Sequence, residues 1–223
     1  LSATEDGEPV AAFLNANDPA TGAFDFGESD AHGAYAFDLA PGTYNVRINP
    51  QDQDFGAQSL PLVVTEAGAI DLTLLASARV QIAIIDAEGT GVAGVSAFAS
   101  AVDGSGDGFG ETGAEGVVEL RLVPGAYRIQ FFASDGISPA PTTIDVLADT
   151  TIQLQLPKAY PVRGHVTLGN GDEAVGVGLQ FIPVTEDLAT TSGSFIFIEV
   201  VDGSYEAQLP AGHYLVTMFA QQD

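Results

Sequence analysis

Apolar and polar residues alternate along most of this chain, whereas no stretch keeps the 3.6-residue period of a helix over three turns. Val, Ile and Thr are frequent in the alternating runs, as is typical of β-strands. The 26 glycines and 12 prolines separate these runs at short intervals, which favours frequent turns. The pattern therefore predicts an all-β protein with almost no helix.

A phrase of two alternating runs occurs three times, at 34–49, 117–132 and 204–219. Between the runs stands a break that contains Pro and Gly, and a tyrosine follows it to open the second run. Two such runs joined by such a break predict a β-hairpin. In the first two copies Pro41-Gly42 and Pro124-Gly125 predict a type II turn, in which proline presets φ and glycine accepts the positive φ that follows.

The repeat has the size of a domain. Its tyrosines, Tyr44, Tyr127 and Tyr214, lie 83 and 87 residues apart, which is too long for the repeat of a solenoid. We therefore predict three β-domains in tandem. Their predicted bounds are 1–76, 77–157 and 158–223, with short junctions at 76–78 and 157–161.

Four phrases in these domains match the pattern of a known family. They are VRGHV at 162–166, GVAGV at 91–95, DAHGAY at 30–35 and LAPGTYNV at 39–46. In their order the domains resemble the carboxypeptidase regulatory-like domain and the related Cna-B-type and transthyretin-like β-sandwiches. The resemblance implies an Ig-like Greek-key sandwich of about seven strands in each domain. It also implies a spacer, adhesive or assembly module rather than a catalyst.

The first and third domains are shorter than the second. Only Leu1 to Glu5 stand where the first domain needs a leading strand, and the third stops at Asp223 where two closing strands are expected. One interpretation is a fragment that is cut at both ends. The other is that each end leaves an unpaired strand edge, which a strand from another copy completes. Because that contact is head-to-tail, it predicts a filament.

Charge excludes several classes of partner. The chain carries 30 acidic and 6 basic residues, for a net charge of −24, which repels nucleic acid and anionic membranes. Such a charge suits a marine or halophilic setting, and colloidal solubility explains it equally well. The longest apolar runs are shorter than the ~20 residues of a membrane helix. Without cysteine the chain has no disulfides and no thiol chemistry.

One segment has part of the spacing of a calcium-binding loop. Asp103, Ser105 and Asp107 occupy the first, third and fifth positions, and Glu111 occupies the ninth. Ala114 stands at the twelfth position, where a bidentate acid is needed. The competing interpretation is a flexible connection rich in Gly and Asp. Calcium is the only cofactor for which the sequence offers a candidate, and this candidate is weak.

Other chemistry finds little support. His32, His165 and His213 are too far apart in sequence for a zinc motif, and no G-x-S-x-G sequence marks a nucleophilic serine. Lys158 is the only lysine, and the third domain has no closing strand with an asparagine, which argues against the Lys–Asn isopeptide crosslink of some Cna-B-type domains. We therefore predict that the chain is not an enzyme, with a carboxylate-based hydrolase as a remote third possibility.

Four phenylalanines are expected at the surface: Phe24 and Phe26 in the first domain, and Phe195 and Phe197 in the third. The last two alternate with isoleucines, so both faces of that strand are apolar. This indicates either a partner interface or packing of the third domain against the second.

Together these features predict a stiff rod of sandwiches, since Pro157 and Pro161 restrict the second junction. The predicted role is a secreted bacterial or archaeal structural protein: a stalk, adhesin segment or filament subunit. Its predicted partners are copies of itself, head to tail, or other cell-surface proteins. The alternative is a carbohydrate-binding or accessory module of a larger secreted enzyme.

Overall fold

The computed structural model describes residues 2–3, 8–52, 54–174, 176–187, 189 and 195–220. These residues form β-strands and no helix, so the predicted all-β class is confirmed. The strands are β1 (Ser2–Ala3), β2 (Ala12–Asn17), β3 (Phe24–Glu28), β4 (Gly42–Pro50), β5 (Ala57–Val64), β6 (Thr73–Leu74), β7 (Ala78–Ile85), β8 (Val95–Ala101), β9 (Gly106–Glu111), β10 (Val117–Leu122), β11 (Gly125–Ala133), β12 (Thr142–Val146), β13 (Thr150–Gln155), β14 (Ala159–His165), β15 (Val177–Val184), β16 (Ile196–Val200), β17 (Ser204–Pro210) and β18 (His213–Ala220).

Strands β7 to β13 form two facing layers. One layer has the order β10-β7-β13, and the other contains β12-β11-β8-β9. All neighbours are antiparallel except β13, which runs parallel to β7. Alternate residues of both layers, such as Ile82, Ala99 and Ile129, are buried in one apolar cluster. This arrangement is a seven-stranded β-sandwich.

The repeated phrase is not a hairpin, and this prediction was wrong. Its two strands lie in different layers, since β10 pairs with β7 whereas β11 pairs with β8 and β12. The same separation holds for β17 and β18. The Pro-Gly break therefore carries the chain across the core from one layer to the other. Gly42 and Gly125 begin β4 and β11 without a positive φ, so the predicted type II turns are also wrong.

A tyrosine hydroxyl stabilises the crossing after the first and the third break. Tyr44 Oη donates a hydrogen bond to the carbonyl of Ala40 at 3.0 Å, and Tyr214 Oη donates to the carbonyl of Pro210 at 2.8 Å. A Cβ added to Gly42 would lie 3.2 Å from the Tyr44 ring, which is tighter than ordinary contact. The glycine thus leaves room for the ring, as in the tyrosine corner of Ig-like sandwiches.

The first domain lacks most of one layer among its described residues. Ser2–Ala3 pairs in parallel with β6, as β7 pairs with β13, but Leu1 and residues 4–7 lie outside the described part. Residues 34–39 alternate between exposed and half-buried, and Tyr35, Phe37 and Leu39 pack on the core. The predicted first strand of this copy is not formed, because no described strand lies beside it in the place that β7 takes beside β10.

The first two domains share one sheet. Ala57 and Gln58 of β5 pair with Asp107 and Gly106 of β9, which gives an eight-stranded sheet of order β12-β11-β8-β9-β5-β4-β2-β3. Among the described residues, no pairing of this kind joins the second and third domains. Pro139 and Pro141 stand at the positions of the second domain that correspond to Ala57 and Ser59, and proline offers no N–H to a ladder.

The third domain contains a β14–β17 pair and a β16-β15-β18 sheet. Its buried cluster includes Ile137, which comes from the loop after β11. The other two clusters lie within 1–76 and 77–157. The predicted end of this domain at Asp223 lies outside the described residues, and the three domain bounds stay predictions.

Candidate interaction surfaces

The core of the third domain is open on one side. Val216 and Met218 of β18 lie opposite the buried residues Phe181 and Leu179 of β15, so they point toward the core. Nevertheless they are 50% and 58% exposed, whereas the corresponding Ile129 and Phe131 of β11 are 0% and 2% exposed.

The opposite layer shows the same opening. Tyr160 and Val162 of β14 lie opposite Leu209 and Ala207, which are buried, yet both are substantially exposed. Their counterparts in β7, Ala78 and Val80, are buried. We call these four exposed apolar positions, two in each layer, the open core: Tyr160, Val162, Val216 and Met218.

Unpaired strand edges border the open core. Within the described ranges, β14 pairs only with β17, and β18 pairs only with β15. In the second domain the corresponding edges of β7 and β11 are covered by β13 and β12. Because the edges of β14 and β18 lie beside exposed apolar side chains, this part of the third domain has the features of a strand-binding site.

A second opening lies in the first domain. A cavity of about 720 Å³ runs between residues 33–41 and 62–71. Among its lining side chains are Tyr35, Phe37 and Leu39, together with the carboxylates of Asp38 and Asp71. Burial in this wall, with the charge of Asp71 as a smaller effect, raises the pKa of Tyr35. In the second domain the corresponding space between β10 and β13 is filled by β7.

The calcium candidates are engaged in protein contacts. Asp103 Oδ1 accepts the Ser105 amide at 2.9 Å, and the Ser105 hydrogen bonds hold the pKa of Asp103 below its usual range. Asp107 forms a two-point ion pair with Arg47 of the first domain, with Nη2 to Oδ1 at 2.6 Å. Glu111 Oε2 lies 3.5 Å from Ser96 Oγ. The structure thus places this segment at the joint between two domains, and calcium binding stays a prediction.

Tyr127 lies against the same segment. Its hydroxyl is buried and lies near the Val123 backbone, but it forms no hydrogen bond of normal geometry in the described structure. A Cβ added to Gly106 would lie 3.0 Å from this hydroxyl. Burial, with the charges of Asp103 and Asp107, raises the pKa of Tyr127 to about 12, against a smaller lowering by the Val123 backbone. The hydroxyl is therefore neutral and does not act as an anionic ligand.

The histidines do not converge. His165 lies opposite Ser204 across β14 and β17, with Nδ1 and Oγ 3.2 Å apart. No carboxylate hydrogen bond to this histidine occurs among the described residues, and both side chains are exposed. No group of three or more His, Asp or Glu side chains in the described ranges could hold a metal ion. The Ser204–His165 contact is thus a cross-strand pair without the third member of a catalytic triad.

The predicted surface phenylalanines are exposed as expected. Phe24, Phe26 and Phe197 lie on the outer faces of their strands, and Phe195 directly precedes β16. Ile196, between Phe195 and Phe197, is buried against the second domain near Gly136, so this strand does pack on its neighbour. A cleft of about 370 Å³ separates Phe132 from Phe195 and Phe197.

The second domain carries an exposed aromatic cluster that was not predicted from the sequence. Phe98 contacts Phe109 with ring centroids 4.6 Å apart, and it contacts the edge of Phe132 at 6.0 Å. The signal was present, because each of these residues occupies an outward position between buried or small residues.

Comparison with known proteins gives no family. No family model matches the chain, and no curated protein matches it. Among solved structures, the Bacillus anthracis TIE protein is 14% identical over 98% of this chain and 44% of its own, with a TM-score of 0.33. A streptococcal ancillary pilin is 12% identical over 96% of this chain and 84% of its own, at 0.35.

A DUF3823 family protein from Parabacteroides merdae is 14% identical over 62% of this chain and 82% of its own, at a TM-score of 0.30. The chain thus spans less than half the length of the Bacillus anthracis protein. At these scores the likeness carries no argument about function. No described helix is long and apolar enough to cross a membrane.

Proposed function

We propose that this chain is a non-catalytic, extracellular structural protein whose copies join head to tail. The observation that carries the proposal is the open core of the third domain. Four core-facing positions that are apolar and solvent-exposed lie beside two unpaired strand edges. Such a surface favours association, because burying apolar area contributes about 25 cal/mol per Å².

The second domain shows which kind of strand would cover the open core. There β13 runs parallel to β7, and Ile152 and Leu154 of β13 pack half-buried on the core. Thr151 and Gln153 point outward between them. A strand that completes the third domain therefore needs apolar residues at alternate positions and must run parallel to β14.

A second copy is the proposed source of this strand. The openings lie in the first and the third domain, so they are two different surfaces of one chain. A contact between unlike surfaces is heterologous, and it produces an open filament when its rotation does not close a ring. Apolar burial and strand pairing between copies then carry mechanical load along the filament.

Sedimentation velocity and negative-stain microscopy test this proposal. The natural chain is expected to form longer species as its concentration rises. The V216K/M218K variant places two charges in the open core and is expected to remain a monomer with an unchanged β-type circular dichroism spectrum. The control is L147K/V102K, which places the same charges at two exposed positions outside the open core and is expected to assemble. A natural chain that stays monomeric at every soluble concentration contradicts the proposal.

The carbohydrate-binding alternative has less support from the geometry. A sugar ring stacks on a flat aromatic platform, whereas Phe98 is tilted by 45° from Phe109 and by 82° from Phe132. These rings pack on one another instead of forming a plane.

A further inference from the structure

Each domain carries the same exposed pair on the same strand: a phenylalanine and, two residues later, a glutamate. Strand pairing shows that the pairs are equivalent. Each phenylalanine lies opposite the central outward-facing residue of the neighbouring strand. On its other side, that neighbouring strand pairs with the strand that follows the Pro-Gly break. The pairs are Phe26 and Glu28 in β3, Phe109 and Glu111 in β9, and Phe197 and Glu199 in β16.

The phenylalanines are exposed in all three domains. Phe26 is 72% exposed, Phe109 is 60% exposed and Phe197 is 51% exposed. A single exposed apolar residue needs no explanation, because much of any protein surface is apolar. The same ring at the same position in three otherwise divergent domains does need one, since more than half of the ring stays exposed in every domain.

The glutamates carry unneutralised charge. None of the three forms a salt bridge within the part of the chain that the structure describes. Glu28 accepts a hydrogen bond from Gln51 Nε2 at 2.5 Å, and Glu111 lies 3.5 Å from the Ser96 hydroxyl. Residues two apart on a strand face the same side about 7 Å from each other. Each domain therefore presents a ring beside a carboxylate that has no cationic partner in the described part of the chain.

We propose that this Phe-x-Glu pair is a repeated docking site for a basic polypeptide segment. The ring contacts an apolar side chain of the partner or the face of its cation, and the carboxylate pairs with its Lys or Arg. Charge argues for this partner, because a chain with a net charge of −24 attracts cations and repels anions. The pairs of the first two domains lie on one continuous sheet, so one partner segment is able to contact both and gain from multivalency.

A labelled peptide of alternating Lys and Val serves as the probe, and fluorescence anisotropy measures its binding. The assay uses the V216K/M218K background, so its outcome does not depend on whether the chain assembles head to tail. The triple variant F26S/F109S/F197S is expected to weaken binding about 10-fold or more, because it removes the apolar contact from every site. The control V102S/L147S/L168S removes three exposed apolar residues outside these strands and is expected to bind like the parent.

A second pair of variants tests the carboxylates at equal net charge. E28Q/E111Q/E199Q is expected to weaken binding, whereas E66Q/E88Q/E115Q, which removes three exposed glutamates elsewhere, is expected to weaken it far less. The proposal is overturned if the parent does not bind the probe, or if either test variant binds as well as its control. It is also overturned if an alternating Lys and Ser peptide binds as tightly as the Lys and Val peptide, because binding then reflects charge alone.

Discussion

At the scale of single residues, the three tyrosines that mark the repeat do not have identical roles. Tyr44 and Tyr214 donate to a carbonyl four residues earlier, whereas the buried hydroxyl of Tyr127 has no partner among the described residues. Their rings occupy the same place after the Pro-Gly break. The hydroxyl therefore contributes to stability in the first and third domains but not in the second.

Tyr-to-Phe substitutions test this difference. Y44F is expected to lower the free energy of unfolding by about 1 kcal/mol, because it removes a hydrogen bond and leaves the Ala40 carbonyl without a partner. Y127F is expected to leave stability unchanged or to raise it slightly, since it removes an unsatisfied buried hydroxyl. Urea unfolding measures both, and an equal loss in the two variants contradicts this assignment.

Asp30 predicts a pH dependence in the first domain. Its carboxylate accepts the amides of Ala34 at 2.9 Å and His32 at 2.8 Å, and these bonds lower the pKa of Asp30. A lowered folded-state pKa contributes stability above the unfolded pKa of about 4, and this contribution is lost as pH falls through the folded pKa. D30N is expected to show a smaller acid-induced loss of stability than the natural chain, in thermal melts across that range. An unchanged pH profile contradicts this role.

At the scale of elements, the alternation and the Pro-Gly-Tyr phrase predicted most of the repeated strands but not their pairing, and the strand predicted at 34–39 does not form. Runs such as 117–122 and 125–133 form as strands, yet they belong to different layers. The local sequence does not distinguish a hairpin turn within one sheet from a crossing between two sheets, because both need a break at the same place. What decides here is long-range: the neighbours β7 and β8 come from distant parts of the chain.

The joint between β5 and β9 depends on a glycine. A Cβ added to Gly106 would lie 2.9 Å from the Ala57 carbonyl oxygen, a distance that real Cβ atoms essentially never show. It would also lie 3.0 Å from Tyr127 Oη, which is a tight contact. G106A is therefore expected to separate the two strands and to speed hydrogen exchange at the Ser59 amide, which bonds to the Ser105 carbonyl at 2.8 Å. G68A adds a Cβ in open space and is the control. Equal protection of Ser59 in the two variants contradicts the role of Gly106.

At the scale of the whole molecule, composition and repeat spacing were enough to predict the fold class, while the open core emerged only from the structure. Val216 and Met218 belong to an alternating apolar run, which predicts burial, and only the surrounding strands show that no described element covers them. The Phe-x-Glu pairs were likewise present in the sequence, but the strand register was needed to show that they occupy equivalent positions. The calcium-loop spacing is the opposite example, because it was visible in the sequence, whereas the structure pairs Asp107 with an arginine 60 residues away.

The central claim is that a second copy covers the open core, and a fluorophore at Met218 tests it most directly. The chain has no cysteine, so M218C accepts a single environment-sensitive label. The account predicts that emission shifts to shorter wavelength as protein concentration rises, because the label becomes buried when copies join. Emission that stays that of a solvent-exposed label, at concentrations where the chain does form filaments, contradicts the claim.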